Sequence, residues 1–158
     1  MSMIGNFLQI TAAQLSDAIE DPSTVDTLLD VDVDSLDVID VDKAWHAIHY
    51  MLTQSAWEGE TPLANVVLGG TPIGDDVGYG PAKYITAAQV KEAAAKLPSR
   101  ESLGNAFDAK AMTSEEIYPG IWDEGEDALD YVLEHYDTLR SFFLDAASRG
   151  NGMLKYVN

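Results

Sequence analysis

Cysteine is absent from this chain of 158 residues, which excludes disulfide bonds, thiolate zinc sites and cysteine nucleophiles. The sequence also lacks any apolar run near the roughly 20 residues that a membrane-spanning helix needs. Its start has neither the basic segment nor the apolar core of a signal peptide. We therefore expect a cytoplasmic protein that forms one domain over residues 1–158, with no membrane partner.

Basic residues are scarce, since 9 Lys and Arg stand against 27 Asp and Glu, for a formal net charge of −18. Residues 1–42 contain ten acidic side chains and no Lys or Arg, whereas residues 43–110 are nearly neutral. Nucleic-acid affinity is built largely from Lys and Arg that neutralise phosphates, so we expect no nucleic-acid partner. A basic protein is the partner that this charge would attract. The same charge also arises in proteins that are merely kept soluble, and the sequence leaves both explanations open.

Periodicity predicts an α+β fold with a single compact domain. The segment 3–10 has the length of a strand, and the letters ITAAQ at its end recur at residues 85–89. In both copies a Thr precedes a helical pattern with Gln three residues later, so Thr11 and Thr86 are predicted N-caps of capping boxes. A long core helix is predicted from about residue 124 to 148, followed by a strand. We expect a mixed sheet of about four strands packed between helices.

The segment 30–42, DVDVDSLDVIDVD, invites comparison with a calcium-binding loop. Aspartates fill its first three ligand positions, but Ser35 takes the place of the turn Gly and Val41 that of the bidentate Glu. We therefore predict no calcium site. The alternative is a connector whose apolar side chains face the core, namely Val31, Val33, Leu36 and Val38.

Residues 43–53 predict a helix that carries two histidines. Trp45 and Ile48 fall on one face and are expected in the core. His46 and His49 lie one turn apart and could share a metal ion, but a catalytic metal needs a third protein ligand and no further His is nearby. We expect no metal and no cofactor.

A glycine-rich segment follows a strand predicted at residues 65–68. Residues 69–85, GGTPIGDDVGYGPAKYI, match no phosphate-binding motif, and two adjacent aspartates would repel an anion. Long loops nevertheless often carry function. We expect His46 or His49 to point toward Tyr79 in this loop. The predicted cleft between the helix and loop 69–83 contains Trp45, His46, His49, Tyr79 and Lys83.

Four stretches together resemble a known family: MIGNFLQI, DKAWHAIHYMLT, VLGGTPIGDDVGYGPAKYI and EEIYPGIW, in this order. They are similar to the bacterial YfbM-like family, a domain of unknown function. The resemblance covers essentially the whole chain and implies a compact domain with a mixed sheet between helices. It implies no activity and no catalytic residues.

Three functions stay open from the sequence. The charge favours a noncatalytic acidic protein-binding module, similar to the inhibitors and immunity proteins of toxic enzymes. The predicted cleft would suit a small enzyme or ligand-binding protein, with a histidine as acid or base, Tyr79 as donor and Lys83 as anion contact. However, no Ser–His–Asp order, carboxylate pair or nucleophile elbow supports catalysis. A structural or assembly subunit is the third hypothesis, and the sequence predicts no oligomeric state.

Overall fold

The computed structural model describes residues 2–32 and 34–158. The strands are β1 (Gly5–Ile10), β2 (Val38–Asp40), β3 (Thr71–Asp76), β4 (Pro81–Ile85) and β5 (Gly152–Val157). The α-helices are α1 (Ala12–Glu20), α2 (Val25–Leu29), α3 (Trp45–Thr53), α4 (Ala87–Lys96), α5 (Arg100–Gly104), α6 (Ala109–Ser114) and α7 (Glu126–Arg149). The predicted α+β class and the long C-terminal helix are therefore confirmed.

The strands form one sheet in the order β2-β1-β5-β4-β3. Pairing is antiparallel at every strand contact in the described part of the chain, so the prediction of a mixed sheet is wrong. The tight β3–β4 turn imposes antiparallel pairing, and β5 runs between β1 and β4 in the direction opposite to both. A fifth strand, β2, pairs with β1 where the sequence predicted a connector.

Helices cover both faces of this sheet because its strands alternate their apolar side chains. Phe7 of β1 joins the larger core, which includes Trp45 of α3 and Tyr136 of α7. The neighbouring Leu8 and Ile10 join a smaller core on the other face, formed with residues of α1 and α2. The expected packing of the sheet between helices is therefore confirmed.

Both predicted capping boxes are present. The Thr11 hydroxyl accepts a hydrogen bond from the Gln14 backbone N–H at 3.1 Å, and the Gln14 side chain accepts one from the Thr11 N–H at 2.9 Å. Thr86 and Gln89 make the same pair of contacts at the start of α4. Each box satisfies two backbone donors that would otherwise lack a partner, which fixes where the helix begins.

The strand predicted at residues 65–68 is wrong, because a 3₁₀ turn at Leu63–Asn65 and a further turn replace it. The Gly69 N–H donates to the Ala64 carbonyl at 2.8 Å and closes this segment on itself. The carbonyls of Asn65 and Gly69 are also taken by a buried lysine, so they are not available to a strand ladder. Beyond it, the predicted glycine-rich loop is largely the hairpin β3–β4.

The acidic connector behaves only partly as expected. Val31 and Val38 pack against the smaller core. Val33 lies outside the described residues. Leu36, expected to face inward, is 89% exposed, and the Ser35 N–H just before it donates to the Asp32 carbonyl at 2.8 Å.

Candidate functional site

Helix α3 is buried from Trp45 to Leu52, since the sheet covers one side and later segments cover the other. Trp45 and Ile48 belong to the core, as predicted. The Trp45 indole N–H donates to the Met3 carbonyl at 2.9 Å. Gly5 on β1 permits the close approach, because a Cβ at that position would lie 2.7 Å from the Trp45 Cβ.

His46 is 1% exposed and uses both ring nitrogens. The Tyr118 backbone N–H donates to Nδ1 at 2.9 Å, so Nδ1 must be unprotonated. Nε2 therefore carries the proton and donates to the Ala56 carbonyl at 2.8 Å. Burial lowers the pKa of His46, in agreement with this neutral form.

His49 is equally buried and faces a different carbonyl. Its Nε2 lies 2.7 Å from the Glu58 carbonyl, which can only accept, so Nε2 is the protonated nitrogen. Nδ1 is buried and has no hydrogen-bond partner. Burial lowers the pKa of His49 to about 4, and repulsion from nearby cationic groups adds to the shift. Both histidines are thus neutral and bound to main-chain carbonyls.

Two lysines meet on the larger-core face of the sheet. Lys83 and Lys155 are register partners on β4 and β5. The Lys155 ammonium donates to the carbonyls of Asn65 and Gly69, each at 2.5 Å, and Lys83 donates to Leu68 at 2.7 Å. Burial and the charge of Lys83 lower the pKa of Lys155 far below its ordinary value. These lysines fasten the segment 65–69 onto the sheet.

Lys155 was missed as a site residue by sequence reasoning. It is 3% exposed and lies between Met153 and Val157 on the core-facing side of β5. The period of two in this strand places its side chain inward, and that was the available signal. Among the described residues, neither Lys155 nor Lys83 has a carboxylate within salt-bridge distance.

Three of the five predicted cleft residues line one pocket. Trp45, Tyr79 and Lys83 surround a space of about 80 Å³ together with Lys155, and Tyr79 is half exposed there. His46 and His49 are not among its lining residues. The His46 ring is held between the Tyr118 N–H and the Ala56 carbonyl. The ring of His49 is held against the Glu58 carbonyl instead.

His46 instead lines a second, larger pocket of about 470 Å³. Trp57 and Tyr118 form further parts of its wall. The ring centroids of His46 and Trp57 lie 4.3 Å apart, and His46 stacks on Trp45 at 5.1 Å. Trp57 lies after the predicted helix of residues 43–53, and no pattern in the sequence joins it to His46.

Residues 2–32 and 34–158 contain neither a candidate metal site nor a candidate membrane-spanning helix. No group of three or more His, Asp or Glu there is arranged to hold a metal ion. No helix in the same residues has both the length and the apolar character needed to cross a membrane. The absence of a bound metal or cofactor stays a prediction from the sequence.

Comparison with known proteins identifies the family of this chain. No curated protein sequence matches the chain. A solved structure, that of YfbM from Escherichia coli, described as a protein of unknown function, is similar with a TM-score of 0.73 and 23% identity. The match covers 98% of this chain and 99% of that one, and at this identity it shows a shared fold. The profile of the domain of unknown function DUF1877 matches residues 1–156, and the chain therefore belongs to the DUF1877 family.

Proposed function

We propose that this protein is a noncatalytic module that binds a basic protein through an acidic face. We define the acidic face as the exposed acidic side chains of residues 17–40: Asp17, Glu20, Asp21, Asp26, Asp30, Asp32, Asp34 and Asp40. Leu36, 89% exposed within this segment, is the observation that carries the proposal. Ile19, in the same segment, is 48% exposed. An exposed apolar side chain surrounded by polar groups matches the arrangement of an apolar interface centre with a polar rim.

No salt bridge within residues 2–32 and 34–158 neutralises the charge of this face. In the described residues, the salt bridges join Arg100 to Asp137, and Arg149 to Asp37 and Asp145. None of these carboxylates belongs to the acidic face as defined. Lys83 and Lys155 turn inward onto carbonyls, so the surface has fewer cations than the composition suggests. Such a field would accelerate association with a basic partner and make binding sensitive to salt.

The histidine geometry supports a noncatalytic role. A general base needs a free nitrogen within reach of a substrate proton. His46 has none, since both nitrogens are engaged, and His49 is 1% exposed. An inhibitor or immunity-like protein that covers a basic surface of a toxic enzyme is consistent with this arrangement. A cytoplasmic location stays a prediction.

The test is capture of partners from a lysate of the native host at low and at high salt. We expect a basic protein that is released by salt and lost with the triple variant Asp17→Asn, Asp30→Asn, Asp34→Asn. The matched control neutralises three exposed acids elsewhere, Glu92→Gln, Asp130→Asn and Glu134→Gln. Leu36→Ala should weaken capture without changing its salt dependence. Equal loss with both triple variants would mean that only net charge matters and would contradict the acidic face.

A second candidate function is suggested by the pocket at Trp45, Tyr79 and Lys83. Its specific support is that two lysines line it without a carboxylate partner in the described residues. Such a pocket favours a small anionic group as ligand, and the volume of about 80 Å³ limits its size. An assembly role remains a third hypothesis.

Titration with acetate and with inorganic phosphate, followed by NMR, tests this second candidate. Lys83→Met should abolish any saturable binding, whereas Lys91→Met, a change at an exposed lysine of α4, should leave it intact. If neither anion binds to the unmodified protein, the ligand-binding function loses its site.

A further inference from the structure

The larger pocket combines aromatic walls with a carboxylate. One wall is formed by His46 and Trp57, and another by Tyr118 and Pro119. Glu116 is the carboxylate among its lining residues, which include no Lys or Arg. The space of about 470 Å³ is large enough for a small organic molecule.

Trp57 is the most unusual of these residues because its indole is 64% exposed. It is nevertheless held in place, since its ring centroid lies 4.3 Å from that of His46 and 6.4 Å from that of Trp45. Trp45 in turn stacks on Tyr118 at 5.8 Å. An exposed ring that is fixed by other rings is a preorganised surface, and a ligand that binds there need not order it.

The electrostatics of the pocket favour a ligand with a positive charge. Trp and Tyr rings present a negative π face, which attracts cations. His46 is held neutral by its two hydrogen bonds and adds no positive charge. The Glu116 carboxylate and the net charge of −18 also attract a cation. An anion would be repelled here, in contrast to the pocket lined by Lys83 and Lys155.

Glu116 also occupies a backbone conformation that glutamate seldom adopts. Its φ is +56°, in the left-handed region that Gly and Asn enter at lower cost. This conformation closes the end of α6, where the Glu116 N–H donates to the Thr113 carbonyl and the Ile117 N–H to the Met112 carbonyl, and it fixes the position of Glu116 beside the pocket.

We propose that the pocket bounded by Trp57, Tyr118 and Glu116 binds a small organic cation with a methylated ammonium group. Methylated ammonium is weakly hydrated, so aromatic faces compete well with water for it. A primary ammonium keeps a stronger hydration shell and should bind less tightly. The proposal concerns a free small molecule, and it is independent of the acidic face and of the lysine-lined pocket.

Choline and 3,3-dimethyl-1-butanol provide the decisive pair of probes, since they share a shape and differ in charge. Titration is followed through the indole N–H signal of Trp57, assigned by its loss in Trp57→Ala. We expect saturable choline binding, with the neutral analogue about tenfold weaker. Ethanolamine should lie between them. Equal binding of the charged and neutral probes would show an apolar pocket and overturn the proposal, as would the absence of saturable choline binding.

Substitutions at the pocket test whether choline binds there. Trp57→Leu keeps an apolar side chain but removes the ring that reports binding, so the affinities of this variant are measured by isothermal titration calorimetry. The substitution should abolish the preference for choline. Glu116→Gln should weaken choline binding several-fold and leave the neutral analogue unaffected. Leu144→Ala, at an exposed apolar residue of α7 outside the pocket lining, is the control and should change neither. Unchanged choline affinity in Trp57→Leu would overturn the proposal, and a far-UV circular dichroism spectrum confirms that each variant is folded.

Discussion

Lys83 and Lys155 stand opposite each other on adjacent strands and bind carbonyls of one short segment, residues 65–69. Two lysine amino groups are thus packed together on the core face of a sheet, with no carboxylate of the described residues paired to them. Main-chain carbonyl dipoles take the place that an acidic side chain usually fills. The segment is held to the sheet by lysine side chains rather than by strand pairing.

Lys155→Met should destabilise the fold although it removes a desolvated charge. The substitution leaves two buried carbonyls without their donor, and each unsatisfied group costs about 1–3 kcal/mol. Part of this loss is offset because Met no longer requires desolvation of an amine. We expect a net loss of about 2 kcal/mol in the free energy of unfolding, measured by chemical denaturation. Lys91→Met, at an exposed position, is the control and should be nearly neutral.

Stability should rise with pH through the range in which histidines titrate. His49 is neutral in the fold with its pKa lowered to about 4, whereas the unfolded chain has the ordinary value of 6.5. Between these values the unfolded state binds more protons, so the stability present above pH 6.5 is lost as the pH falls toward 4. This shift corresponds to about 3 kcal/mol for His49. His46 acts in the same direction.

Denaturation of the unmodified protein and of His49→Gln between pH 5 and pH 7 measures this effect. The variant should be less stable at pH 7, and its stability should depend less steeply on pH. Parallel pH profiles for the two proteins would show that His49 does not change its proton affinity on folding.

Truncation of Trp45 and truncation of Trp57 should cost very different amounts of stability. Trp45→Ala removes a buried indole and its hydrogen bond to Met3, with an expected cost of about 3–5 kcal/mol. Trp57→Ala removes a ring that is 64% exposed, and we expect a change below about 1 kcal/mol. Denaturant midpoints of the two variants test the contrast, and similar losses would contradict the assigned burial.

Gly5→Ala should be destabilising although alanine is the smallest change available. The new Cβ would lie 2.7 Å from the Trp45 Cβ, so β1 and α3 would have to separate. We expect a loss of about 1–3 kcal/mol. Gly104→Ala is the matched control, because the nearest atom to its new Cβ, Leu133 Cδ1, lies 3.6 Å away and the residue is helical. That variant should be neutral or slightly stabilised, as thermal unfolding of both will show.

Local chemistry made part of this fold predictable from sequence. The capping boxes at Thr11 and Thr86 depend on residues three apart, and the long apolar period of α7 depends on one helix face. The strand predicted at residues 65–68 failed because the Asn65 carbonyl accepts from Lys155 and the Leu68 carbonyl from Lys83, both of which lie later in the chain. No local pattern reports such a contact.

The candidate site was likewise predictable from sequence only in part. The amphipathic pattern correctly placed Trp45 in the core, and Trp45, Tyr79 and Lys83 line one pocket. The directions of His46 and His49 depend on the carbonyls of residues 56 and 58, which a following loop brings over the helix. Helix periodicity gives the face on which a side chain starts, but not the hydrogen-bond acceptor that it reaches.

The position of β5 between β1 and β4 has a consequence for biosynthesis. Of the five strands, β5 leaves the ribosome last, yet β1 and β4 both pair with it. Until it emerges, the inner edges of β1 and β4 have unpaired main-chain donors and acceptors, and Met153 and Leu154 are missing from the two cores. The nascent chain therefore cannot close its sheet until residues 152–157 have emerged. A chaperone that shields strand edges would act on this protein chiefly in the interval before residues 152–157 are released.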